Sequence, residues 1–504
     1  MSETKYSAIS QISALSALLA ESGVVVLDGA QGTELERRGV QLGANKLWSA
    51  QLLIDNPDLV RAIHLDYLRA GADIITTFTY QASIQGFAEA GVDATTAAAL
   101  LNRAVDLADS AREAFVQAQQ LQSSKDGAPE LKAFETLRQQ EQEDHQASGS
   151  PLWGLSLNAA TATRGGTGSS PGANVIQIGG SSSSSSAAAA SAAAAADVAL
   201  GALQRQGRPL VAFSSGSYGA YLADGSEFHG SYADSMSVQQ LSDFHRARLE
   251  PVRNRTEIDL LAFETVPCLR EAEAIVDLLR REQYGKSAWI SFSCRDAFHT
   301  CHGEHFAEQC VPLLVAAAAE GLVVAVGVNC TAPRHVSSLL TAAREQLVAR
   351  STATSGPLPP TAAAPHPLQA QPQIQPPATQ PLPPSGSPLE HFRQQQQQQQ
   401  QQQLLQPSNL LLLCYPNSGE EWDGKHRCWR HVPDDIADPE RFAEAAAEWV
   451  YGAPRLALIG GCCRTGPEHI RALRRRLHRE RTAVVGAVMA AGGGVTAVVS
   501  TLPA

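Results

Sequence analysis

Basic residues are the scarce class in this 504-residue chain. Lys and Arg number 39 against 50 Asp and Glu, which leaves a formal net charge of -11. So acidic a chain has no basic stripe to lay along a phosphate backbone, and nucleic acid is not expected among its partners. A secretory signal is also missing. Met1-Ser2-Glu3-Thr4-Lys5-Tyr6 has neither a basic n-region nor an apolar h-region, and lacks the Arg-rich bias of an organelle transit peptide. The 9 cysteines are an odd count in no regular framework, so a disulfide scaffold is not expected; the thiols are read as reduced and the protein as cytoplasmic. No Gly-x-Gly-x-x-Gly follows the first apolar run, which disfavours a dinucleotide fold. A strongly apolar span is lacking too. Thr482 to Ser500 is uncharged and follows the basic stretch Arg474–Arg481, the layout of a tail anchor, but its Gly, Ala and Thr make it only weakly hydrophobic. Residues 482–504 are read as a flexible tail, with no membrane partner expected.

What is present is a repeating alternation of short β-branched or apolar runs with amphipathic stretches. The runs Val24–Leu27, Ala72–Tyr80, Pro209–Phe213, Asp259–Phe263, Ser287–Ser293, Leu322–Val328, Leu410–Cys414 and Leu456–Ile459 read as buried strands. Helical patterns follow them, among them Asn56 to Leu68, Thr95 to Ala114 and Leu269 to Arg281, the last with acids early and arginines late to match the macrodipole. Two stretches break the pattern. From about Gln117 to Gly207 the composition turns to Gln, Ser, Ala and Gly, and from about Ser351 to Pro407 it is Pro-rich and then a pure Gln tract. Neither can bury enough apolar surface to offset its ordering entropy, and both are read as disordered insertions in helix-to-strand connections. Eight strands alternating with helices predict an α/β fold, a (β/α)8 TIM barrel with two long low-complexity insertions over residues 1–481, with an open doubly wound sheet as the alternative.

Barrel strands share one carboxyl-terminal face, and that is where barrel active sites lie. Asp28, Glu264, Cys330, Cys462 and Cys463 all fall at expected strand ends. The adjacent pair in Gly460-Gly461-Cys462-Cys463 is poorly placed to bond to itself. A thiophilic metal takes both sulfurs, and three thiolates leave one tetrahedral position for substrate, the mark of a catalytic zinc. Two buried apolar cysteines, and Asp28 as a helix N-cap, are the bland alternatives. Cys268, Cys294, Cys301, Cys310, Cys414 and Cys428 are read as packing or surface residues. His299-Thr300-Cys301-His302 has the look of a metal pair but lies in an expected loop.

The ordered motifs go further. Asp28-Gly29-Ala30 with Thr33-Glu34-Leu35, Leu47-Trp48-Ser49-Ala50, His64-Leu65-Asp66-Tyr67, Tyr80-Gln81-Ala82, Tyr218 through Glu227, Glu264-Thr265, Gly327-Val328-Asn329-Cys330, Tyr415 through Glu420 and Gly460 through Thr465 resemble the homocysteine S-methyltransferase family, over nearly the whole chain outside the insertions and tail. The resemblance implies one Zn2+ held by Cys330, Cys462 and Cys463. It implies substrate-binding roles for Asp28, Gly29, Glu264 and Asn329, with the two acids on the amino group of L-homocysteine. It implies methyl transfer from a sulfonium donor, S-methylmethionine or S-adenosylmethionine, giving methionine. Since the leaving thioether is neutral, no general acid or base is named among the catalytic residues. Tyr80, Tyr218 and Trp48 are candidates for cation–π contact with the donor, with packing at the barrel mouth the alternative. Rival readings are a selenocysteine or betaine-linked methyltransferase on the same barrel, and a non-catalytic barrel that binds partners through its Gln and Pro tracts.

Overall fold

The computed structural model describes residues 14–41, 47–123, 207–353, 410–423 and 428–490. The eight apolar runs are parallel strands: β1 (Val25–Val26), β2 (Ile74–Thr76), β3 (Leu210–Gly216), β4 (Leu260–Val266), β5 (Ala288–Phe292), β6 (Val323–Asn329), β7 (Leu411–Tyr415) and β8 (Leu456–Ile459). Their order is β1-β8-β7-β6-β5-β4-β3-β2, and a parallel bridge between Leu27 and Ile74 brings the two ends together. The sheet is thus a nearly closed (β/α)8 barrel, as the alternation predicts. β2 is shorter than its apolar run: after Thr76 the chain turns out into the mouth, with Thr77 and Thr79 hydroxyls bonded to one another. β3 and β4 run longer, so Glu264 lies within β4 rather than beyond it.

Eight helices form the outer ring: α1 (Pro57–Ala70), α2 (Ala94–Ser123), α3 (Val238–Leu249), α4 (Leu269–Glu282), α5 (Val311–Ala319), α6 (Pro333–Ala353), α7 (Pro439–Gly452) and α8 (Pro467–Ala490). Local chemistry sets their ends. Asn56 caps α1 by accepting from the Leu59 amide, and Gly71 closes it at φ 114°, a left-handed conformation that suits glycine. Ser237 and Gln240 form a reciprocal capping box on α3. Arg474 of α8 donates to the Gly71 carbonyl and to the buried Asp73, which accepts from Val26 N at 2.8 Å; this stitches the β1–β2 seam. Helix α8 continues to Ala490. Among the described residues no helix is long and apolar enough to cross a membrane.

The core has two main compartments, with a small third cluster of Tyr232, Ala233, Leu241, Cys268 and Ala274 beside them. Most of it lies between sheet and helices. A second cluster fills the barrel bore, where alternate strand residues such as Leu210, Ala212, Leu260, Ala262, Trp289, Ala325 and Leu413 point inward. Leu15 and Leu18 join that cluster from a helix spanning 14–22, and Leu18 packs against Gly207 just ahead of β3. This helix therefore plugs the amino-terminal end of the bore, and the sequence reading placed no element there. The residues between Ser123 and Gly207, and between Ala353 and Leu410, connect helix to strand and so depart from that same end; their expected disorder lies outside the described residues.

Candidate active site

Strand ends and tight loops bring the three cysteines together. Cys330 follows β6 at φ 47°, with its amide donating to the Tyr415 carbonyl at 3.2 Å. The loop after β8 needs both of its glycines. A Cβ on Gly460 would lie 2.6 Å from Leu27 Cβ, and one on Gly461 would lie 2.1 Å from Thr465 Oγ1. That close fit lets Cys462 N reach the Pro416 carbonyl at 2.8 Å and Cys463 O accept from Ser418 N at 3.1 Å. The three Sγ atoms lie within 4.8 Å of one another, and each residue is half-buried. By contrast Cys268, Cys294, Cys301, Cys310 and Cys414 are buried in the wall. The backbone of Cys428 lies in a two-stranded ribbon beyond the barrel, Glu421–Asp423 with Cys428–Arg430.

The trio fits a metal. Cys330 Sγ and Cys463 Sγ are 3.7 Å apart, and two Zn–S bonds of about 2.3 Å at a tetrahedral angle span roughly the same distance. Cys330 Sγ and Cys462 Sγ are brought to bonding distance by β6 and β8, with Cα–Cα 5.5 Å; metal binding belongs to the trio with all three thiols reduced. Burial pushes the Cys463 thiol up to about 11, reinforced by Glu227 and Glu36 and opposed by Arg464.

Two buried carboxylates stand near the thiols. Asp28, only 5% exposed, accepts from Thr76 N at 2.8 Å and from Thr76 Oγ1 at 3.0 Å. Burial drives its carboxyl up to about 8 against those hydrogen bonds, and Glu264 adds to the rise. Glu264 accepts from Ser214 Oγ and lies beside the Tyr415 hydroxyl; burial raises it as well. Neither acid has an ion-pair partner among the described residues. Arg248 lowers Glu264 without pairing with it, and two buried acids with no ion-pair partner form a receptor for a cation.

Gly29 and Asn329 come to the same face. A Cβ on Gly29 would lie 2.8 Å from the Thr465 carbonyl, so glycine is what lets the turn after β1 dock on the β8 loop. Asn329 is 1% exposed, and its amide is tied to one neighbour: Oδ1 accepts from Thr265 N and Nδ2 donates to Thr265 Oγ1, both at 2.7 Å. Thr265 sits at φ 58°, and this clamp holds it directly after Glu264. Of the aromatics, Tyr80 reaches into the site, close to Thr265, Glu264 and Cys463. Tyr218 is half-buried in an aromatic group with Tyr221, Tyr232 and Phe244. The Trp48 side chain lies outside the described residues. His299 and His302 pair with Asp296 and Glu304, and among the described residues the cysteine trio alone forms a group able to hold a metal.

Sequence patterning missed a second polar cluster behind the mouth. Arg248 of α3, with no exposed surface, donates to the carbonyls of Ala82 (3.0 Å), Gly216 (2.7 Å) and Tyr80 (3.3 Å) and to Ser215 Oγ (3.1 Å). Glu271 of α4 accepts from Tyr218 N (2.7 Å), His245 Nε2 (2.9 Å) and the Tyr232 hydroxyl. His245 Nδ1 meets Ser215 Oγ at 3.3 Å and joins the two halves. The available signal was Glu271 in the first turn of α4, which the dipole argument reads as a solvated acid; it is fully buried. This network fixes the loops that carry Tyr80 and Tyr218.

A barrel with a thiol trio and paired acids at its carboxyl-terminal face defines a class, and sequence comparison identifies it. A family model described as homocysteine S-methyltransferase matches residues 25–131 and 161–477. The chain belongs to that family, and it is an enzyme of the methyltransferase class. It is 32% identical to "Homocysteine S-methyltransferase 3" of Arabidopsis thaliana, over 92% of each chain. It is 29% identical to "Selenocysteine methyltransferase" of Astragalus bisulcatus, over 89% of this chain and 90% of that one. Among solved structures it resembles the metallated homocysteine methyltransferase MmuM of Escherichia coli, with 28% identity, a TM-score of 0.53, and 91% and 98% of the two chains covered. The oxidized form of that protein matches with a TM-score of 0.54.

Proposed function

We propose that this protein moves a methyl group from a sulfonium donor, S-methylmethionine or S-adenosylmethionine, to the thiol of L-homocysteine, and that Cys330, Cys462 and Cys463 hold one Zn2+ for the purpose. The observation that carries this reading is the three converged sulfurs beside two buried carboxyls without an ion-pair partner, in a chain of this family. A Zn2+ in the trio supplies Lewis acidity that lets the homocysteine thiol ionise at neutral pH. Asp28 and Glu264 take the substrate ammonium between them, which returns both carboxyls to the ionised form and aims the sulfur at the trio. Gly29 and Asn329 keep the two acids in register, through the Thr465 and Thr265 contacts described above. The homocysteine sulfur attacks the donor methyl carbon in line. A new S–CH3 bond forms as the bond to the sulfonium sulfur breaks, and the bonding pair leaves on a neutral thioether. Protein groups therefore align and exclude water rather than move protons.

We also propose that residues 1–481 form one catalytic barrel whose insertions at about 117–207 and 351–407 stand apart from the chemistry. A reduced trio is needed for metal, which supports a cytoplasmic home. The test is methionine formation from homocysteine by reduced, zinc-loaded protein with S-methylmethionine, S-adenosylmethionine and betaine run in parallel. Turnover with a sulfonium donor supports the reading; turnover with betaine alone, or with none of the three, sinks it.

A further inference from the structure

Glu227 is the acid of the barrel mouth that the reading above leaves without work. It lies in the short turn Ser226–Phe228, in the loop that follows β3. Its backbone is held from several directions. The helix Tyr218–Leu222 presses so closely on the turn that a Cβ on Gly219 would lie 2.4 Å from Glu227 N. Ser293 Oγ, past the end of β5, donates to the Glu227 carbonyl at 2.7 Å. The Ser226 carbonyl accepts from both His229 N and Gly230 N. A loop pinned this way fixes where the carboxylate points.

Its carboxylate meets the backbone amide of Glu227 itself, but one of its oxygens is left open. Glu227 Oε2 is buried and has no hydrogen-bond partner. Buried carboxylate oxygens are ordinarily paired, and Asp28, Glu264 and Glu271 all are. The charge of Glu227 acts on Cys463, on the Tyr80 hydroxyl and on the Cys301 thiol. It is not among the groups that shift Asp28 or Glu264, whereas Glu264 acts on Asp28. The mouth therefore holds a third acid beside the Asp28–Glu264 pair, and the Tyr80 hydroxyl feels both Glu227 and Glu264.

A carboxylate oxygen without a partner, raised by burial and felt by the Tyr80 hydroxyl and by one sulfur of the trio, is a receptor for a cation that arrives with a ligand. We infer that Glu227 binds the sulfonium centre of the methyl donor, so that the donor's charge and not only its shape is read at the Tyr80 side of the mouth. This rests on the sulfonium-donor reading given above. The charge balance of the reaction gives the assignment a kinetic signature. The donor sulfur is cationic on arrival and neutral once its methyl has left. Attraction to Glu227 is thus greatest in the ground state, weaker at the transition state and gone in the thioether product. Loss of the carboxylate should raise the donor KM and leave kcat unchanged or slightly higher.

The experiment compares zinc-loaded, full-length wild type with Glu227→Gln and Glu227→Asp. It measures KM for S-methylmethionine and for homocysteine, and the inhibition constant of 2-amino-5-methylhexanoic acid, which replaces the sulfonium by an uncharged CH. In Glu227→Gln the donor KM should rise about tenfold or more, with kcat, homocysteine KM and the inhibition constant each within about twofold of wild type. Glu227→Asp keeps the charge and should recover most of the loss. An unchanged donor KM in Glu227→Gln overturns the assignment, as does an equal weakening of the donor and its uncharged isostere. Wild-type protein that accepts no sulfonium donor overturns the underlying reading instead, which separates the two failures.

Discussion

Two buried polar clusters lie side by side under the barrel mouth, and they are completed differently. In the Arg248–Ser215–His245–Glu271 cluster every charge meets protein groups: the guanidinium holds three carbonyls and a hydroxyl, and the carboxylate holds an amide, an imidazole and a phenol. At the neighbouring site the charges are left open. Asp28 and Glu264 have hydroxyl and amide partners but no cation, Glu227 Oε2 has no partner, and three sulfurs converge on a point a metal would fill. Similar burial and similar residue types give scaffold in one case and a ligand-seeking surface in the other. The difference lies in how much of the compensation the protein itself supplies.

The largest effect is expected where the open cluster loses a sulfur. Cys463→Ala should lower methyl transfer by more than about 100-fold, beyond what loss of an outer-shell partner does, and zinc content measured on the same sample should fall with it. Its thermal midpoint in the metal-free state should stay near wild type. The closed cluster should behave the other way round. Arg248→Ala strips the donor from the Tyr80, Ala82 and Gly216 carbonyls and should destabilise the fold by about 3 kcal/mol or more in denaturant titrations, with zinc still bound by the folded fraction. A zinc-binding Cys463→Ala, or an Arg248→Ala as stable as wild type, would break the comparison.

Asp28→Asn sharpens it. Loss of a charged hydrogen bond to the substrate ammonium should raise homocysteine KM by about 10- to 100-fold, with donor KM little changed. The pH dependence follows from the raised carboxyl. In the substrate-free protein Asp28 keeps its proton until pH approaches 8, so homocysteine KM should fall as pH rises toward that value, and the slope should flatten in Asp28→Asn. Stability runs in the opposite sense. With its folded value above the ordinary 3.8, Asp28 favours the fold fully below about pH 4, and this contribution is lost as pH climbs through about 8. The gap in thermal midpoint between pH 5 and pH 8 should therefore narrow in Asp28→Asn. The smallest effect is expected from replacing residues 124–206 and 354–409 by short Gly/Ser linkers. Both leave from the amino-terminal end, and kcat/KM should hold within about threefold.

How much of this was legible in sequence depended on whether a residue's role was local. The eight strands were, because a fully buried parallel strand is a continuous apolar run, and the ends of β1, β6 and β8 located Asp28, Cys330, Cys462 and Cys463. The plug helix at 14–22 was not: Leu15, Leu18 and Leu19 show helical spacing, but nothing local says that they enter a bore. Glu271 was missed for the same reason. An acid in a first turn has the pattern of a solvated group, and only the packing of α3 and α4 shows that it is buried. Asn329 was placed on the correct face, while its engagement with Thr265 depends on two strands separated by 64 positions.

The bore beneath the site is packed by strand side chains, and Leu15 and Leu18 stop its amino-terminal end. The barrel is therefore a cul-de-sac: both reactants share the mouth at the carboxyl-terminal face, and whatever fills that mouth shields the strand ends behind it from water.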